Sequence, residues 1–304
     1  MKKSGYIAII GKPNVGKSTF INSFFGETIS IITRKAQTTR DKILAVYTDD
    51  DTQIIFLDSP GIHISKKEIN QFMLKEAISA INDADLVLFL IEHNNSTIDK
   101  VNKKILDYTL SKKKPMILLI NKIDKYKNPA MVMEAIQFWQ KQADFDEIIP
   151  ISAFKGFNKK LLLRDFRKYL PEHPFYYPSD YLTDKDERFI VSELIREQIL
   201  LLTHEEIPYD SAVIIEKFLE IEGKVTIDAT IVLARESQKR VILGNKGSMI
   251  QKIRENSQEN IIKVLNKKIK LKIFVKIDKN WSTINEKIEK LGYNNKTDLN
   301  DFLI

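Results

Sequence analysis

The chain has 304 residues, of which 43% are hydrophobic, so it is long enough for two domains with substantial cores and is not intrinsically disordered. It contains no cysteine, which excludes disulfides and thiolate metal sites, and its four scattered histidines argue against a histidine-rich metal site. Its longest apolar runs, 86–91 and 116–121, fall far short of the ~20 residues of a membrane span. We therefore expect a protein of the reducing cytoplasm.

Strand and helix signals alternate through the first half of the chain. Short apolar runs typical of buried strands occur at 6–10, 43–48, 53–58, 86–91, 116–120 and 147–151. Longer segments with helical periodicity lie at 73–81, 130–139 and 160–170. This alternation predicts an α/β domain with a mostly parallel sheet over residues 1–170.

The second half of the chain has a different order of elements. Three prolines in ten residues mark 171–180 as a linker. Beyond it the patterns predict a helix at 187–203, strands at 211–221 and 224–235, helices at about 247–254 and 257–267, and a strand at 270–277. This order predicts a smaller α+β domain over residues 181–304.

The formal net charge of +7 is unevenly distributed along the second half. Residues 239–279 contain twelve lysines and arginines against three acids, whereas residues 181–238 contain six bases against thirteen acids. Such a reversal produces an oriented electrostatic field, and a polyanion is the natural partner of its basic end.

The stretch GKPNVGKST follows the first predicted strand directly and leads into a helix-like segment. It fills the pattern G-x-x-x-x-G-K-[ST], in which backbone N–H groups surround a phosphate, the lysine reaches the outer phosphates and the hydroxyl ligates Mg²⁺. The alternative is a glycine turn with an incidental lysine, which does not explain the strand before it and the helix after it. The motif predicts nucleotide-binding residues at Gly11, Asn14, Val15, Gly16, Lys17, Ser18 and Thr19.

Three further motifs, DSPG at 58–61, NKID at 121–124 and SAFKG at 152–156, each follow a predicted strand. Asp124 selects the base, because a carboxylate accepts the ring N1–H and the exocyclic amine of guanine, and adenine offers neither donor there. One four-residue motif can be a chance loop, but the ordered set indicates GTP or GDP. The nucleotide-binding residues assigned here are Asp58, Asn121, Lys122, Asp124, Ser152 and Ala153.

With the segment KAQTTR at 35–40, these motifs resemble those of the Era family of bacterial P-loop GTPases, over essentially the whole chain. The resemblance implies that a threonine of this segment ligates Mg²⁺ and senses the terminal phosphate. Thr39 is our choice and Thr38 is the alternative. The resemblance also implies that Asp58 holds a Mg²⁺-bound water and that the Gly61 N–H contacts the γ-phosphate. Ser152 and Ala153 would support the guanine.

The positions after Gly61 hold Ile62 and His63, where many relatives carry a glutamine that orients the attacking water. An isoleucine cannot orient a water. Hydrolysis would then rest on phosphate positioning and charge neutralisation by Lys17 and Mg²⁺, with Thr39 and Gly61, and we expect slow intrinsic turnover. His63 could act as a catalytic base, but we favour the alternative that it is an ordinary exposed loop histidine.

Asn14 raises the question of a second cation. In related GTPases that use potassium, an asparagine at this place of the P-loop ligates K⁺. Asparagine is equally favoured in turns for its backbone geometry. Both interpretations stay open, and K⁺ therefore joins GTP or GDP and Mg²⁺ among the expected ligands.

The loop GNKG at 244–247 lies inside the basic segment and precedes a helix-like stretch. This arrangement resembles a KH domain, in which a GxxG loop brings the backbone of a nucleic acid to the start of a helix. The resemblance assigns RNA-binding roles to Gly244, Asn245, Lys246 and Gly247. Ile242, Ile250 and Ile253 are candidate groove residues, with core packing as the more common role, and Lys267 and Lys268 would add only general positive field.

The favoured hypothesis is a GTP-hydrolysing switch that grips single-stranded RNA. By resemblance to the Era family, its partners are the 3′ region of 16S ribosomal RNA and the 30S subunit during assembly. The family also implies a monomer in the cytoplasm with peripheral association at the inner face of the cell membrane. The rival hypothesis is a non-catalytic RNA-binding or membrane-surface adaptor that holds GTP as a structural ligand.

Overall fold

The computed structural model describes residues 1–26, 42–62, 68–92, 98–126, 128–203, 207, 210–279, 281–282 and 284. The first half forms a six-stranded sheet in the order β2-β3-β1-β4-β5-β6, parallel except for the antiparallel pair β2 and β3. Its strands are β1 (Lys3–Ile10), β2 (Ile43–Thr48), β3 (Thr52–Asp58), β4 (Leu86–Glu92), β5 (Met116–Asn121) and β6 (Glu147–Pro150). The predicted mostly parallel sheet is confirmed.

Helices cover both faces of this sheet. They are α1 (Lys17–Phe25), α2 (Glu68–Asp83), α3 (Lys100–Ser111), α4 (Ala130–Gln140) and α5 (Lys159–Tyr169). One apolar core joins the sheet to α2, α3 and α4, and a second joins it to α1 and α5. Because both faces are buried, the strands read as continuous apolar runs rather than as alternating patterns.

The second half is a three-stranded sheet in the order β7-β8-β9, in which β7 and β8 are antiparallel and β8 and β9 are parallel. Its elements are α6 (Glu187–Leu202), β7 (Ser211–Ile221), β8 (Lys224–Leu233), α7 (Glu236–Leu243), α8 (Ser248–Leu265) and β9 (Lys268–Ile277). The helices pack on one face of the sheet and share one core with it. The predicted smaller α+β fold is confirmed.

The helices around the GNKG loop differ from the prediction. The sequence placed two helices after the loop, but one helix, α7, precedes it and one continuous helix, α8, follows it. The polar Ser257 does not interrupt α8, because it is fully buried one turn from Ile253 and Ile261. The start of α7 was missed because its N-cap is Arg235 and not Ser, Thr, Asp or Asn, although the Gln238 side chain does accept the Arg235 N–H at 3.0 Å.

Residues 171–184, which include the predicted linker, lie along the edge of the first sheet. The Val46 N–H donates to the Leu182 carbonyl at 2.8 Å, and the Leu44 N–H donates to the Asp184 carboxylate at 3.0 Å. On the adjacent strand β3, the side-chain oxygen of Gln53 accepts the N–H of Tyr177 at 3.0 Å. This segment therefore satisfies the hydrogen-bonding groups of edge strand β2.

A separate apolar cluster joins α2 to the second sheet. It consists of Ile69, Phe72 and Met73 from α2 with Ala212, Val232 and Trp281. Trp281 is fully buried, and its indole N–H donates to the Asp210 carbonyl at 3.1 Å.

Within the described part of the chain, no helix is both long and apolar enough to cross a membrane.

Candidate nucleotide site and RNA-binding loop

The P-loop connects β1 to α1, and α1 begins at Lys17. Gly16 has φ +103°, and a Cβ atom there would lie 2.2 Å from Nδ2 of Asn121. Only glycine fits this backbone next to that side chain. The N–H groups at the start of α1 then face a position suited to an anion.

Lys17 is buried at the base of the P-loop. Its ammonium donates to the carbonyls of Gly11 and Lys12, both at 3.1 Å. Burial lowers its pKa to about 8, and the nearby Asp58 carboxylate acts in the opposite direction. A phosphate beside this ammonium would favour its charged form, so the lysine is placed to bind a polyanion.

Ser18 and Asp58 bring a hydroxyl and a carboxylate together, with the Ser18 hydroxyl donating to Asp58 Oδ2 at 3.3 Å. These are the oxygen ligands that Mg²⁺ prefers. The DSPG loop is tied to the P-loop, because the Ile62 N–H donates to the Gly11 carbonyl at 3.1 Å. The Ile62 side chain is buried in the core beneath α2, so it faces away from any attacking water.

Asn121 connects three of the predicted motifs. Its side-chain NH₂ donates to the Val15 carbonyl at 2.8 Å, and its side-chain oxygen accepts the Ala153 N–H at 2.9 Å. The residue is 2% exposed. Asn121 therefore fixes the P-loop relative to the base-binding loops, whereas the sequence had assigned it only to the nucleotide.

Asp124 lies in the short helical turn Ile123–Lys125 after β5. Its carboxylate accepts the Ser152 hydroxyl at 2.5 Å, and the Ser152 oxygen in turn accepts the Lys155 N–H at 3.1 Å. A carboxylate has room for about four hydrogen bonds, so capacity for two guanine donors remains. Ser152 thus orients the proposed base reader.

Glu92 at the end of β4 contacts the site but belongs to none of the sequence motifs. Lys122 donates to Glu92 at 2.8 Å and to the Asn14 carbonyl at 2.7 Å, so it links β4 to the P-loop. Burial opposes ionisation of Glu92, but hydrogen bonds and charge from Lys122 and Lys125 lower its pKa overall. A lone glutamate after a strand forms no motif, so only the fold reveals this contact.

Asp99 is a second residue of this kind. It caps α3 by accepting the backbone N–H groups of Val101 and Asn102, and it accepts the Lys12 ammonium at 3.1 Å. Burial opposes its ionisation, but these donors lower its pKa overall. An aspartate before a helical segment is a recognisable cap signal, so the cap could have been predicted, although not its contact with the P-loop.

The remaining predicted nucleotide residues are placed as follows. Asn14 is exposed with φ +65°, a left-handed conformation in which asparagine is enriched, and Thr19 is half-buried in α1. Thr38, Thr39 and His63 lie outside the described residues. The turn geometry at Asn14 explains an asparagine without any cation, so it does not distinguish the two interpretations of that residue.

The GNKG loop forms a turn between α7 and α8. Gly244 has φ +70°, and a Cβ there would lie 2.7 Å from the Met249 backbone nitrogen. Asn245 and Lys246 are exposed, and Gly247 immediately precedes α8. The loop therefore presents a lysine and the start of a helix, two groups that suit a phosphate.

Among the groove candidates, Ile242 and Ile253 are fully buried in the core, and Ile250 is half-buried.

Lys267 and Lys268 differ although they are neighbours. The Lys267 ammonium donates to Glu187 at 2.7 Å and to Glu220 at 3.0 Å, so its charge is compensated locally. Lys268 is exposed at the start of β9. Only Lys268 fits the expected contribution to a general positive field.

Comparison with known proteins identifies the family. A model described as 50S ribosome-binding GTPase matches residues 6–122, and a KH domain model matches residues 206–282. GTPase Era of Clostridium kluyveri is 44% identical over 295 residues, which cover 96% of this chain and all of that protein. The chain belongs to the Era family of GTPases. GTPase Era of Geobacter metallireducens is 43% identical, with 96% of this chain and 98% of that protein covered.

Solved structures of the Era family agree with this fold over nearly the whole chain. An Era in complex with MgGDPNP and nucleotides 1506–1542 of 16S ribosomal RNA has a TM-score of 0.93 at 35% identity, covering 97% of this chain and 100% of that one. An Aquifex aeolicus Era variant bound to GDP·AlF4⁻ has a TM-score of 0.92 at 35% identity, covering 96% and 100%. As an Era-family member, the chain is a GTPase.

Proposed function

We propose that this GTPase is a switch that binds the 3′ region of 16S ribosomal RNA through its GNKG loop and assists assembly of the 30S subunit. The observation that carries the proposal is the combination, in one chain, of an interlocked guanine-nucleotide site and an exposed GNKG loop at the start of α8. A relative of matching fold binds MgGDPNP and a segment of 16S ribosomal RNA at the same time.

The chemistry of the site fits Mg²⁺. The Ser18 hydroxyl and the Thr39 hydroxyl are the expected ligands, and the Asp58 carboxylate would hold a Mg²⁺-bound water beside Ser18. Bound Mg²⁺ would neutralise charge on the β- and γ-phosphates. Lys17 holds the outer phosphates, and the Gly61 N–H is the expected donor to the γ-phosphate.

Guanine selectivity rests on Asp124, which Ser152 orients. Asn121 and Ala153 hold the base-binding loops against the P-loop through Val15. This arrangement leaves hydrolysis to phosphate positioning, since Ile62 is buried and cannot orient a water. We therefore expect slow basal hydrolysis, with K⁺ at Asn14 as an additional source of positive charge.

The proposed division of labour follows the folding units. Residues 1–170 would hydrolyse GTP, residues 171–180 would connect the two units, and residues 181–304 would bind RNA. We further propose that the protein works as a monomer in the cytoplasm. Any contact with the inner face of the membrane would then be peripheral.

The test measures phosphate release from GTP and RNA affinity in the parent and in Asn245→Asp/Lys246→Asp, using nucleotides 1506–1542 of 16S ribosomal RNA as the probe. We expect the variant to hydrolyse GTP alone at the parental rate, because the loop lies in the other folding unit. Its RNA affinity should fall sharply, because two negative charges would face the phosphates and each lost contact reduces the salt slope by about 0.7. A folded variant that binds the RNA as tightly as the parent would refute the loop assignment.

A further inference from the structure

The face of the second sheet that points away from the helices carries a regular stripe of lysines. Because side chains alternate along a strand, Ile269, Leu271 and Ile273 of β9 point into the helix-side core, and the residues between them point outward. The outward residues are Lys268, Lys270, Lys272, Phe274 and Lys276, all of them exposed. We call these five residues the β9 stripe.

The neighbouring strand β8 contributes one lysine, one threonine and one aspartate beside the β9 stripe. In register, Lys224 lies opposite Lys268, Thr226 opposite Lys270, and Asp228 opposite Lys272. The four lysines of the stripe form no ion pair with any residue that the structure describes. Lys267, by contrast, has both of its acidic partners on the helix side. Lys224 and the four stripe lysines outnumber Asp228 on these two strands, so this part of the outer face carries an excess of positive charge.

Phe274 interrupts the lysines with an exposed aromatic ring. It is 54% exposed, and Lys272 and Lys276 lie two residues before and after it on the same face. Residues two apart on a strand are separated by ~6.6 Å, so a ring at Phe274 has an ammonium group on each side. Single-stranded nucleic acids bind to this combination, because bases stack on aromatic rings while phosphates meet the cations.

The same sheet face is covered at one end by the first folding unit. Val232, opposite Lys276 in register, is buried against Met73 of α2 and Trp281. Because α2 packs on the same face of the sheet as the stripe, it would hold a flat bilayer away from the adjacent lysines. A flexible single strand can instead follow the stripe up to α2. This geometry favours RNA over a membrane surface.

From these observations we propose that the β9 stripe is a second RNA-binding surface, which takes an unpaired segment beyond the nucleotides held by the GNKG loop. Phe274 stacks on a base, and Lys270, Lys272 and Lys276 contact phosphates on either side. The RNA path ends against α2, the helix that follows the DSPG loop. This inference rests on the proposed RNA-binding function and extends it to a surface outside the loop.

The experiment compares two RNA probes. One is the fragment 1506–1542 used above, and the other is a six-nucleotide RNA, long enough for the roughly four nucleotides that a GxxG loop clamps. For the long probe, Phe274→Ala should weaken binding about tenfold without changing the salt slope. Lys270→Gln/Lys272→Gln should reduce that slope by about 1.4. For the short probe, both variants should match the parent.

The matched control is Lys160→Gln/Lys263→Gln, which removes the same charge from exposed positions on α5 and α8. It should bind both probes as the parent does. Circular dichroism and GTP affinity check that every variant folds. We expect Phe274→Ala to fold, because this side chain is exposed and lies outside the core. If the control variant weakens binding of the long probe as much as the stripe variants do, the effect comes from the general positive field of the protein and the inference fails.

The remaining outcomes are also decisive. If the stripe variants bind the long RNA like the parent, the inference fails while the GNKG assignment stands. If they lose binding only to vesicles containing anionic phosphatidylglycerol, the surface belongs to a membrane and the inference is wrong. If the parent binds neither RNA, the proposed RNA-binding function fails and the second surface fails with it.

Discussion

The nucleotide site and the GNKG loop both combine backbone N–H groups with a lysine, an arrangement suited to phosphate, yet they are built differently. At the nucleotide site, Lys17 and Asn121 are buried, and their polar atoms contact backbone groups of distant segments. At the loop, Asn245 and Lys246 are exposed, and the turn is maintained by glycine geometry. Substitutions at the first site should therefore disrupt geometry, whereas those at the second should act through charge.

The largest expected difference comes from making the same substitution in both regions. Asn121→Asp would place a buried carboxylate oxygen against the Val15 carbonyl in place of a hydrogen-bond donor. A buried charged group left against a carbonyl costs about 3 kcal/mol or more, which predicts at least about a 150-fold loss of GTP affinity. Asn245→Asp should leave GTP affinity unchanged and weaken RNA binding by a factor that shrinks as salt rises. Titration with a fluorescent GTP analogue and with RNA at several salt concentrations measures both effects.

Equal GTP affinities of these two variants would show that burial of Asn121 does not control the site. Thermal unfolding of each variant is the necessary control, because a misfolded Asn121→Asp protein would lose GTP binding for a trivial reason. A folded variant with low affinity would still reach full occupancy at saturating GTP, whereas a misfolded one would not, so the plateau of the titration separates the two causes.

Asp124→Asn tests the carboxylate that we propose recognises guanine. The GNKG loop has no corresponding acidic residue. The asparagine oxygen can still accept the Ser152 hydroxyl, so the turn should persist. Its NH₂ group would face the guanine donors, and we expect GTP affinity to fall about a hundredfold with a shift toward xanthosine triphosphate. Competition between the two nucleotides measures the preference. A variant that still prefers GTP as strongly as the parent would show that another residue reads the base.

These contrasts also explain how far the sequence could predict the molecule. The strands of the first sheet and the phosphate and base motifs were predictable, because burial on both faces and fixed local spacing leave local signals. The partners of Asn121 were not, since Val15 is 106 residues away along the chain. The alternating lysines from 268 to 276 were visible, but their direction required knowing which face α6 and α8 cover. The contacts of Glu92 and the continuity of α8 through buried Ser257 likewise depend on tertiary contacts.

The buried lysine makes nucleotide binding depend on pH. Burial sets the pKa of Lys17 at about 8 in the nucleotide-free protein, and bound phosphates would raise it. Nucleotide therefore binds the form in which Lys17 is protonated. GTP affinity is highest below about pH 8 and falls as the pH rises above it. Between pH 7 and pH 9 we expect about a tenfold loss of GTP affinity. Isothermal titration across this range measures it.

Lys17→Arg provides the control for this pH profile. A guanidinium stays charged throughout the range, so the variant should bind more weakly because its shape differs, but with a flat profile. A flat profile in the parent as well would show that Lys17 is not the titrating group.

The smallest expected effect concerns potassium at Asn14. The backbone there has φ +65°, and its carbonyl accepts the Lys122 ammonium at 2.7 Å. Glycine adopts the same backbone and keeps that carbonyl, so Asn14→Gly removes only the side-chain amide. If the amide holds K⁺ near the phosphates, the parent should hydrolyse GTP about fivefold faster in KCl than in NaCl at equal ionic strength, a gain of about 1 kcal/mol. The variant should show equal rates in both salts. Equal rates in the parent would mean that Asn14 is present for its turn geometry alone, and that Lys17 and Mg²⁺ carry the charge neutralisation without a monovalent ion.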